Sequence, residues 1–107
     1  MKIIFKEPGR TPEFRNIDGS LETLQELVGG NIEPITLGNG MVILCDEDGK
    51  LKGKEPNIYL DRIKDTLAGN VIFLGEEGEE FTDFPEYYTD AVIAILPLIS
   101  VRRARNE

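Results

Sequence analysis

The stretch NIEPITLGNGMVILCDEDGKLKGK, residues 31–54, reads as consecutive β-strands and decides the fold. Asn39-Gly40 is a strong hairpin signal, because both central residues of a type I′ turn need a positive φ. Pro34 cannot donate a backbone hydrogen bond to a neighbouring strand, so we expect the first strand to lie at a sheet edge or to be bulged there. The continuously apolar run MVILC (41–45) predicts a central strand that is covered on both faces.

The acidic residues after this strand are better explained by a turn than by a metal site. An EF-hand calcium loop that started at Asp46 would need oxygen ligands at roughly its third, fifth and twelfth positions and a glycine at the sixth. Asp48 fits the third position, but the fifth, sixth and twelfth hold Lys50, Leu51 and Asn57. We therefore assign no metal ligand, and Asp48-Gly49 predicts a hairpin turn that leads into a strand of sequence KLKGK.

Three lysines alternate along the segment that follows the turn: Lys50, Lys52 and Lys54. At strand spacing they would share one solvent-facing side. The pattern is typical of a blunted edge strand, where lysine is common, and it also allows a basic binding ridge.

Residues 18–30, DGSLETLQELVGG, predict the clearest helix of the chain. Ser20 can cap the first free amides, and Gly29-Gly30 can end the helix in the left-handed conformation. One stripe of apolar residues should face the core, and it consists of Leu21, Leu24, Leu27 and Val28.

The remaining segments complete an α+β pattern. KIIFKE (2–7) and PEFRNI (12–17) predict a hairpin, and NVIFLG (70–75) a short buried strand. Residues 55–70 are ambiguous, although Asn57 could cap a short helix that turns Leu60, Ile63 and Leu67 inward. EEGEE (76–80) reads as a charged loop, and Thr82 or Asp83 could cap a C-terminal helix.

We therefore expect a single domain over residues 1–107 with a small mixed or antiparallel sheet of about five strands. One helix should cross the sheet, and a second should follow at the C-terminus, in a β-grasp-like order. The apolar run AVIAILPLI (91–99) and the basic residues after it form a tail, 91–107, that either packs on the sheet or makes a homodimer surface.

The charge of the chain is strongly negative and unevenly placed. With 20 acidic and 12 basic residues the formal charge is -8, which repels nucleic acid and anionic membranes. Residues 76–90 hold 7 acidic residues and no base. Such a run is usually a solvated surface, but it could also resemble nucleic acid to a protein partner. The candidate partner-binding residues are Glu76, Glu77, Glu79, Glu80, Asp83 and Glu86.

Several kinds of chemistry lack their usual residues. The chain has no histidine, a lone cysteine (Cys45) and no GxxxxGK[ST] phosphate loop, so we expect no enzyme, no catalytic residue and no cofactor. The N-terminal MKIIFKEPG turns polar too early for a signal peptide, so a cytoplasmic protein is expected. The leading function is a protein-binding module. The alternative is a small-ligand or nucleotide-binding module that would use Gly29, Gly30, Lys50, Lys52 and Asn57.

Three segments together resemble a known family: IDGSLETLQELVGGNIEPITL, CDEDGKLKGKEPN and DTLAGNVIFLG. The resemblance is to domain of unknown function 3846, a family of small proteins encoded largely by bacterial phages and mobile elements. It covers about residues 1–80, and the matching positions are Leu27 to Gly30, Ile32 and Glu33, Asp48 to Leu51, and Ala68-Gly69. The family has no settled activity, so the resemblance implies an accessory protein of a mobile element and supplies no catalytic residue.

Overall fold

The computed structural model describes residues 1–86, which form an antiparallel sheet with one helix on one face and a small hairpin on the other. The elements are β1 (Lys2–Lys6), β2 (Glu13–Asn16), α1 (Leu21–Val28), β3 (Ile32–Gly38), β4 (Met41–Asp46), β5 (Pro56–Leu60), β6 (Asp65–Ala68), β7 (Val71–Glu77) and β8 (Glu80–Thr82). The main sheet has six strands in the order β2-β1-β7-β4-β3, with β8 paired to β7, while β5 and β6 form a separate two-stranded sheet. Every pairing in both sheets is antiparallel. The fold class is therefore α+β, as predicted, and the β-grasp-like order stays a prediction.

The segment that decides the fold forms the predicted hairpin. The turn between β3 and β4 has φ 55° at Asn39 and φ 79° at Gly40, the positive values that a type I′ turn requires. Strand β3 lies at the sheet edge, where the missing N–H of Pro34 is tolerated. Strand β4 lies inside the sheet between β3 and β7 and is buried from Val42 onward, which confirms the covered strand.

Helix α1 has the predicted ends. The Ser20 side chain accepts a hydrogen bond from the Thr23 N–H, and Gly29 closes the helix with φ 80°. The predicted apolar stripe holds at Leu24 and Val28, which are buried, but Leu21 is 58% exposed. Leu21 is the first helical residue, and it lies where the helix begins rather than over the sheet.

The two faces of the main sheet carry separate apolar clusters. On the helix face, the buried residues are Ile3, Phe5, Leu24, Val28, Val42, Leu44, Ile72 and Leu74. On the opposite face, which we call the hairpin face, they are Ile4, Ile43, Cys45, Ile58, Leu67, Val71, Phe73 and Phe84. Strands that contribute to both clusters read as continuous apolar runs because both of their faces are buried.

Two predictions from the sequence are wrong in this structure, and one segment that the sequence left open is resolved. Residues 55–70, which could have held a short helix, form the β5–β6 hairpin. The KLKGK segment forms successive turns instead of a strand, because its lysines bind groups far away in the chain. Residues 76–80 are the end of β7, a two-residue turn and the start of β8, so the expected loop is a hairpin.

Other predictions fall on residues 87–107, outside the described residues. These are most of the C-terminal helix that Thr82 or Asp83 was expected to cap, the tail 91–107 and the homodimer surface at 91–99. Among residues 1–86, none of the helices is both long and apolar enough to cross a membrane.

Candidate functional site

The β7–β8 hairpin gathers three of the predicted partner-binding glutamates at one end of the sheet. Glu77 and Glu80 are direct cross-strand partners, and Glu79 lies in the two-residue turn between them. Directly paired residues of an antiparallel ladder project from the same face, so the side chains of Glu77 and Glu80 are neighbours. All three residues are exposed, and we call them the acidic tip.

No base of the described chain neutralises the acidic tip. Within residues 1–86, the lysines and arginines make no ion pair with Glu77, Glu79 or Glu80. Glu76 lies one residue before the tip, pairs with Phe81 across the ladder and so projects from the other face.

The other two predicted partner-binding acids already have partners at the N-terminus of β1. The Asp83 carboxylate accepts a hydrogen bond of 2.9 Å from the Lys2 N–H. The Glu86 carboxylate lies 3.5 Å from the Lys2 ammonium. Asp83 and Glu86 therefore tie the chain after β8 to β1. Among the described residues, the acidic tip and Glu76 are the members of the predicted set without an ion pair.

A second charged cluster lies at the C-terminal end of α1 and is centred on Asp46. The Asp46 side chain has no solvent exposure, and its carboxylate contacts the Lys52 ammonium at 2.8 Å and the Lys54 ammonium at 2.7 Å. The same carboxylate accepts a hydrogen bond of 2.9 Å from the Asp48 N–H. Burial raises the pKa of Asp46, but these hydrogen bonds outweigh burial and hold the pKa at about 2.

The two lysines of this cluster also bind the last carbonyl groups of α1. Lys54 donates to the Val28 carbonyl at 2.9 Å and to the Gly29 carbonyl at 3.2 Å, and Lys52 donates to the Gly29 carbonyl at 3.2 Å. A helix C-terminus carries free carbonyl groups and a partial negative charge, so cations stabilise it. The lysines are therefore a cap for α1 instead of the solvent-facing ridge that strand spacing predicted.

The alternative set of ligand-binding residues is brought together only in part. Gly29, Gly30 and Lys52 line one open groove of about 490 Å³. The Gly29 and Gly30 N–H groups both donate to the Gln25 carbonyl, so they do not point freely at a ligand. Lys50 lies elsewhere and contacts the Asp65 carboxylate.

Asn57, the last member of that set, is buried and does not line this groove. It is 2% exposed, and its side-chain amide donates to the carbonyl groups of Lys6 and Gly69. Its side-chain oxygen accepts a hydrogen bond of 2.8 Å from the fully buried Lys6 ammonium. Burial lowers the pKa of the Lys6 ammonium.

Two features of the sequence indicate these buried polar groups. Lys6 directly follows the apolar run IIF (3–5), and Asp46 directly follows MVILC (41–45). Each of these charged residues therefore ends a strand that is buried on both faces. A charge that extends a buried strand needs a partner, because an unpaired buried charge is costly. The identities of the partners, Asn57 and the two capping lysines, depend on contacts across the fold.

The Asp48-Gly49 segment is a turn, in which the Gly49 N–H donates to the Asp46 carbonyl at 3.1 Å, but it is not the predicted hairpin turn because further turns follow it instead of a strand. In the part of the chain that the structure describes, no group of three or more histidine, cysteine, aspartate or glutamate residues is placed to hold a metal ion. The Cys45 thiol is buried among apolar side chains on the hairpin face, and burial raises its pKa to about 12. A thiol in this state is inert as a nucleophile.

The segments that carry the family resemblance converge around Lys54 and Asp46. A Cβ added to Gly29 would lie 2.6 Å from Lys54 Nζ, and one added to Gly69 would lie 2.7 Å from Lys54 Cδ. A Cβ added to Gly30 would lie 2.5 Å from the Asp46 carboxylate. A side chain at any of these positions would force Lys54 or Asp46 to move, so the Leu27-to-Gly30 and Ala68-Gly69 segments meet at one packed junction.

Comparison with known proteins identifies a family for the chain. The family model described as domain of unknown function (DUF3846) matches residues 1–93, which include every described strand and the helix. Neither the curated proteins nor the solved structures contain a match to the chain. The chain belongs to the family of domain of unknown function 3846.

Proposed function

We propose that the protein is a non-enzymatic interaction module that binds a cationic surface of a protein partner through its acidic tip. The observation that carries this proposal is the direct pairing of Glu77 with Glu80 around Glu79, with no ion pair to a base of the described chain. These carboxylates are exposed, so they can reach a partner without any change in the fold.

The pairing of Glu77 with Glu80 makes folding less favourable. Like charges directly opposite each other in a ladder are destabilising, by roughly 0.2–1 kcal/mol for each such pair. A cationic partner would turn this repulsion into attraction and would also be steered towards the tip by the field of the whole acidic chain. Binding to a partner therefore explains why glutamates occupy these positions, whereas the stability of the fold does not.

The partner proposed in more detail is a DNA-binding protein of the bacterial host. Such proteins use lysine and arginine to neutralise phosphate groups, and a compact row of carboxylates offers them a similar charge. The protein would then act as an accessory factor of a phage or mobile element by competing with DNA for that surface. This detail follows from the family resemblance and from the 7 acidic residues without a base in 76–90.

The test compares two triple variants that change the net charge equally. The first replaces Glu77, Glu79 and Glu80 by glutamine. The control replaces Glu22, Glu26 and Glu55 by glutamine. These three acids are exposed, lie outside the β7–β8 hairpin and form no ion pair with a described base. Each immobilised protein is incubated with bacterial lysate at low and at high salt, and retained proteins are identified by mass spectrometry.

We expect a basic protein that the wild type and the control retain at low salt and that the tip variant loses. Three interfacial ion pairs of ordinary strength should make the affinity of the purified partner about tenfold weaker in the tip variant. The tip variant should also unfold at slightly higher urea concentration than the wild type, because it lacks the glutamate repulsion. Equal retention by the two variants would show that the tip is not the binding surface.

The alternative proposal, a small-ligand or nucleotide-binding module, is supported by the groove that Gly29, Gly30 and Lys52 share. It has less support, because the Lys52 ammonium already pairs with Asp46 and the glycine amides already donate to Gln25. Thermal shift against a panel of nucleotides tests it, since a bound ligand raises the melting temperature with its excess over the dissociation constant. A saturable shift that Lys52→Met removes would favour this alternative.

A further inference from the structure

The β5–β6 hairpin covers the hairpin face of the sheet without joining its ladder. It forms its own two-stranded sheet, closed at its base by a hydrogen bond of 2.8 Å from the Gly69 N–H to the Glu55 carbonyl. Side chains supply hydrogen bonds between this hairpin and the main sheet, from Asn57 to the Lys6 carbonyl and from Arg62 to the Leu37 carbonyl. A two-stranded hairpin is marginally stable by itself, so packing on the sheet holds it in place.

Glycines in the left-handed conformation flank both ends of the hairpin. Gly53 precedes β5 with φ 71°, and Gly69 follows β6 with φ 84°. A Cβ added at Gly53 would meet no atom within 4 Å, so Gly53 itself faces open space, whereas Lys52 and Lys54 on either side of it are held by Asp46. Residues at the ends of elements that can absorb a change in φ and ψ are the usual hinges of moving segments.

The surface under the hairpin contains a charge that favours opening. Lys6 is fully buried, and its ammonium has two hydrogen-bond acceptors, the Asn57 side-chain oxygen at 2.8 Å and the Glu7 carbonyl at 3.2 Å. An ammonium group has three donors, and its transfer out of water is costly without a carboxylate partner. Burial of Ile58 and Leu67 favours the closed hairpin, whereas hydration of Lys6 favours the open one.

We propose that the β5–β6 hairpin is a hinged cover that swings about Gly53 and Gly69 and uncovers the hairpin face while the main sheet stays folded. Because Lys54 lies between Gly53 and β5, opening also releases Lys54 from Asp46 and from the last carbonyl groups of α1. Opening exposes a sheet surface of apolar residues with one ammonium group, that of Lys6. Local opening of this kind costs less free energy than global unfolding, because the ladder of the main sheet stays intact.

Cys45 reports the opening directly. It is 3% exposed and belongs to the same apolar cluster as Ile58 and Leu67, so movement of the cover should expose it to a thiol reagent. Its sulfur also lies 3.8 Å from the Glu33 carbonyl of the edge strand β3, and a route through β3 would not respond to a substitution in the cover. The experiment measures the rate at which 5,5′-dithiobis(2-nitrobenzoic acid) labels the native full-length chain as a function of urea concentration. For a hinged cover the rate should be nearly independent of urea at low concentrations, because little surface is exposed, and should follow global unfolding only near the midpoint.

Two matched pairs of variants separate local opening from global unfolding. Ile58→Val removes one methylene group from the cover and should speed labelling about two- to tenfold, whereas Ile3→Val makes the same change on the helix face and should leave the rate unchanged. Gly53→Ala strains the closed hinge and should speed labelling about five- to thirtyfold. Its control, Gly78→Ala, adds the same strain in the β7–β8 turn, where φ is 63° and no atom lies within 4 Å.

The proposal is overturned if both variants of a pair speed labelling equally, since Cys45 would then be exposed by unfolding of the whole domain. It is also overturned if the labelling rate rises with urea from the lowest concentrations with the slope of global unfolding. Far-ultraviolet circular dichroism of each variant confirms that it is folded under the labelling conditions. If Gly53→Ala alone is labelled at the wild-type rate, Gly53 is not the hinge, and the cover as proposed is rejected.

Discussion

Replacement of Asp46 by asparagine should destabilise the protein by about 1–2 kcal/mol at pH 7 and change the pH dependence of its stability. The Asp46 carboxylate is fully buried and lies 2.8 Å from the Lys52 ammonium and 2.7 Å from the Lys54 ammonium. Asparagine keeps an oxygen that can accept the hydrogen bond of the Asp48 N–H, so the substitution chiefly removes the charge.

The magnitude follows from the pKa of Asp46. Burial raises this pKa, but the hydrogen bonds from Lys52, Lys54 and the Asp48 N–H lower it from 3.8 to about 2. A difference of this size corresponds to at most about 2.5 kcal/mol, since one pKa unit equals about 1.4 kcal/mol. Solvent screens part of it, because the Lys52 and Lys54 side chains are 43% and 26% exposed, which gives the expected range.

The sign of the pH dependence follows from the lowered pKa. The folded protein binds a proton at Asp46 less readily than the unfolded chain does, so its stability falls as protons are added. The contribution of Asp46 is fully present above its unfolded pKa of 3.8 and is lost as the pH falls through the folded value of about 2. The difference between wild type and Asp46→Asn should therefore shrink as the pH is lowered from about 4 to about 2.

Urea unfolding followed by circular dichroism measures this difference at neutral pH and through the acid range. The control is Asp61→Asn, since Asp61 pairs with Lys64 but its side chain is 82% exposed. Its cost should stay within about 0.5 kcal/mol at every pH, as for other exposed ion pairs. If Asp46→Asn costs as little as the control, or costs the same at acid and neutral pH, the charged cluster does not stabilise the fold in the way the geometry implies.

Three further substitutions test close approaches and the helix cap by urea unfolding at neutral pH. Gly49→Ala would place a Cβ 2.7 Å from the Ala68 carbonyl oxygen, and because a backbone must move the expected loss is about 2–3 kcal/mol. Gly30→Ala would place a Cβ 2.5 Å from the Asp46 carboxylate, where side-chain ends can shift, so the expected loss is about 1–2 kcal/mol. Ser20→Ala removes the N-cap acceptor of α1 and should cost about 1 kcal/mol. A neutral result for either glycine would show that the junction around it is looser than the structure describes.

Local signals made much of the fold predictable from the sequence. The β3–β4 hairpin depends on Asn39-Gly40, and the ends of α1 depend on Ser20 and Gly29, so residues close in the chain are enough to predict these features. The covered strand β4 follows from an apolar run with no polar interruption before Asp46. In each of these elements the tertiary structure agrees with the local preference.

The structure of residues 55–70 could not be decided from the sequence, because their pattern fits both a helix and a hairpin. Asn57 resembles a helix cap, but its side chain is used for hydrogen bonds to Lys6, 51 residues earlier in the chain. The lysines after Asp48 were misread for the same reason, since Lys54 binds the Val28 carbonyl, 26 residues earlier. Contacts over such distances in the chain leave no periodic signal in the sequence, and the turns they stabilise cannot be derived from spacing alone.

The positions of the family resemblance and the proposed binding surface have different physical explanations. Gly29 and Gly69 have φ values of 80° and 84°, which favour glycine, and a Cβ at position 29, 30 or 69 would press on Lys54 or Asp46, so these positions are explained by packing and the capping of α1. No such requirement applies to the acidic tip, where the pairing of Glu77 with Glu80 opposes folding. Residues that lower stability and form no ion pair with a base of the described chain are better candidates for binding than residues that the core requires. The resemblance thus identifies how the fold is held together, and the search for the function should begin at the β7–β8 hairpin.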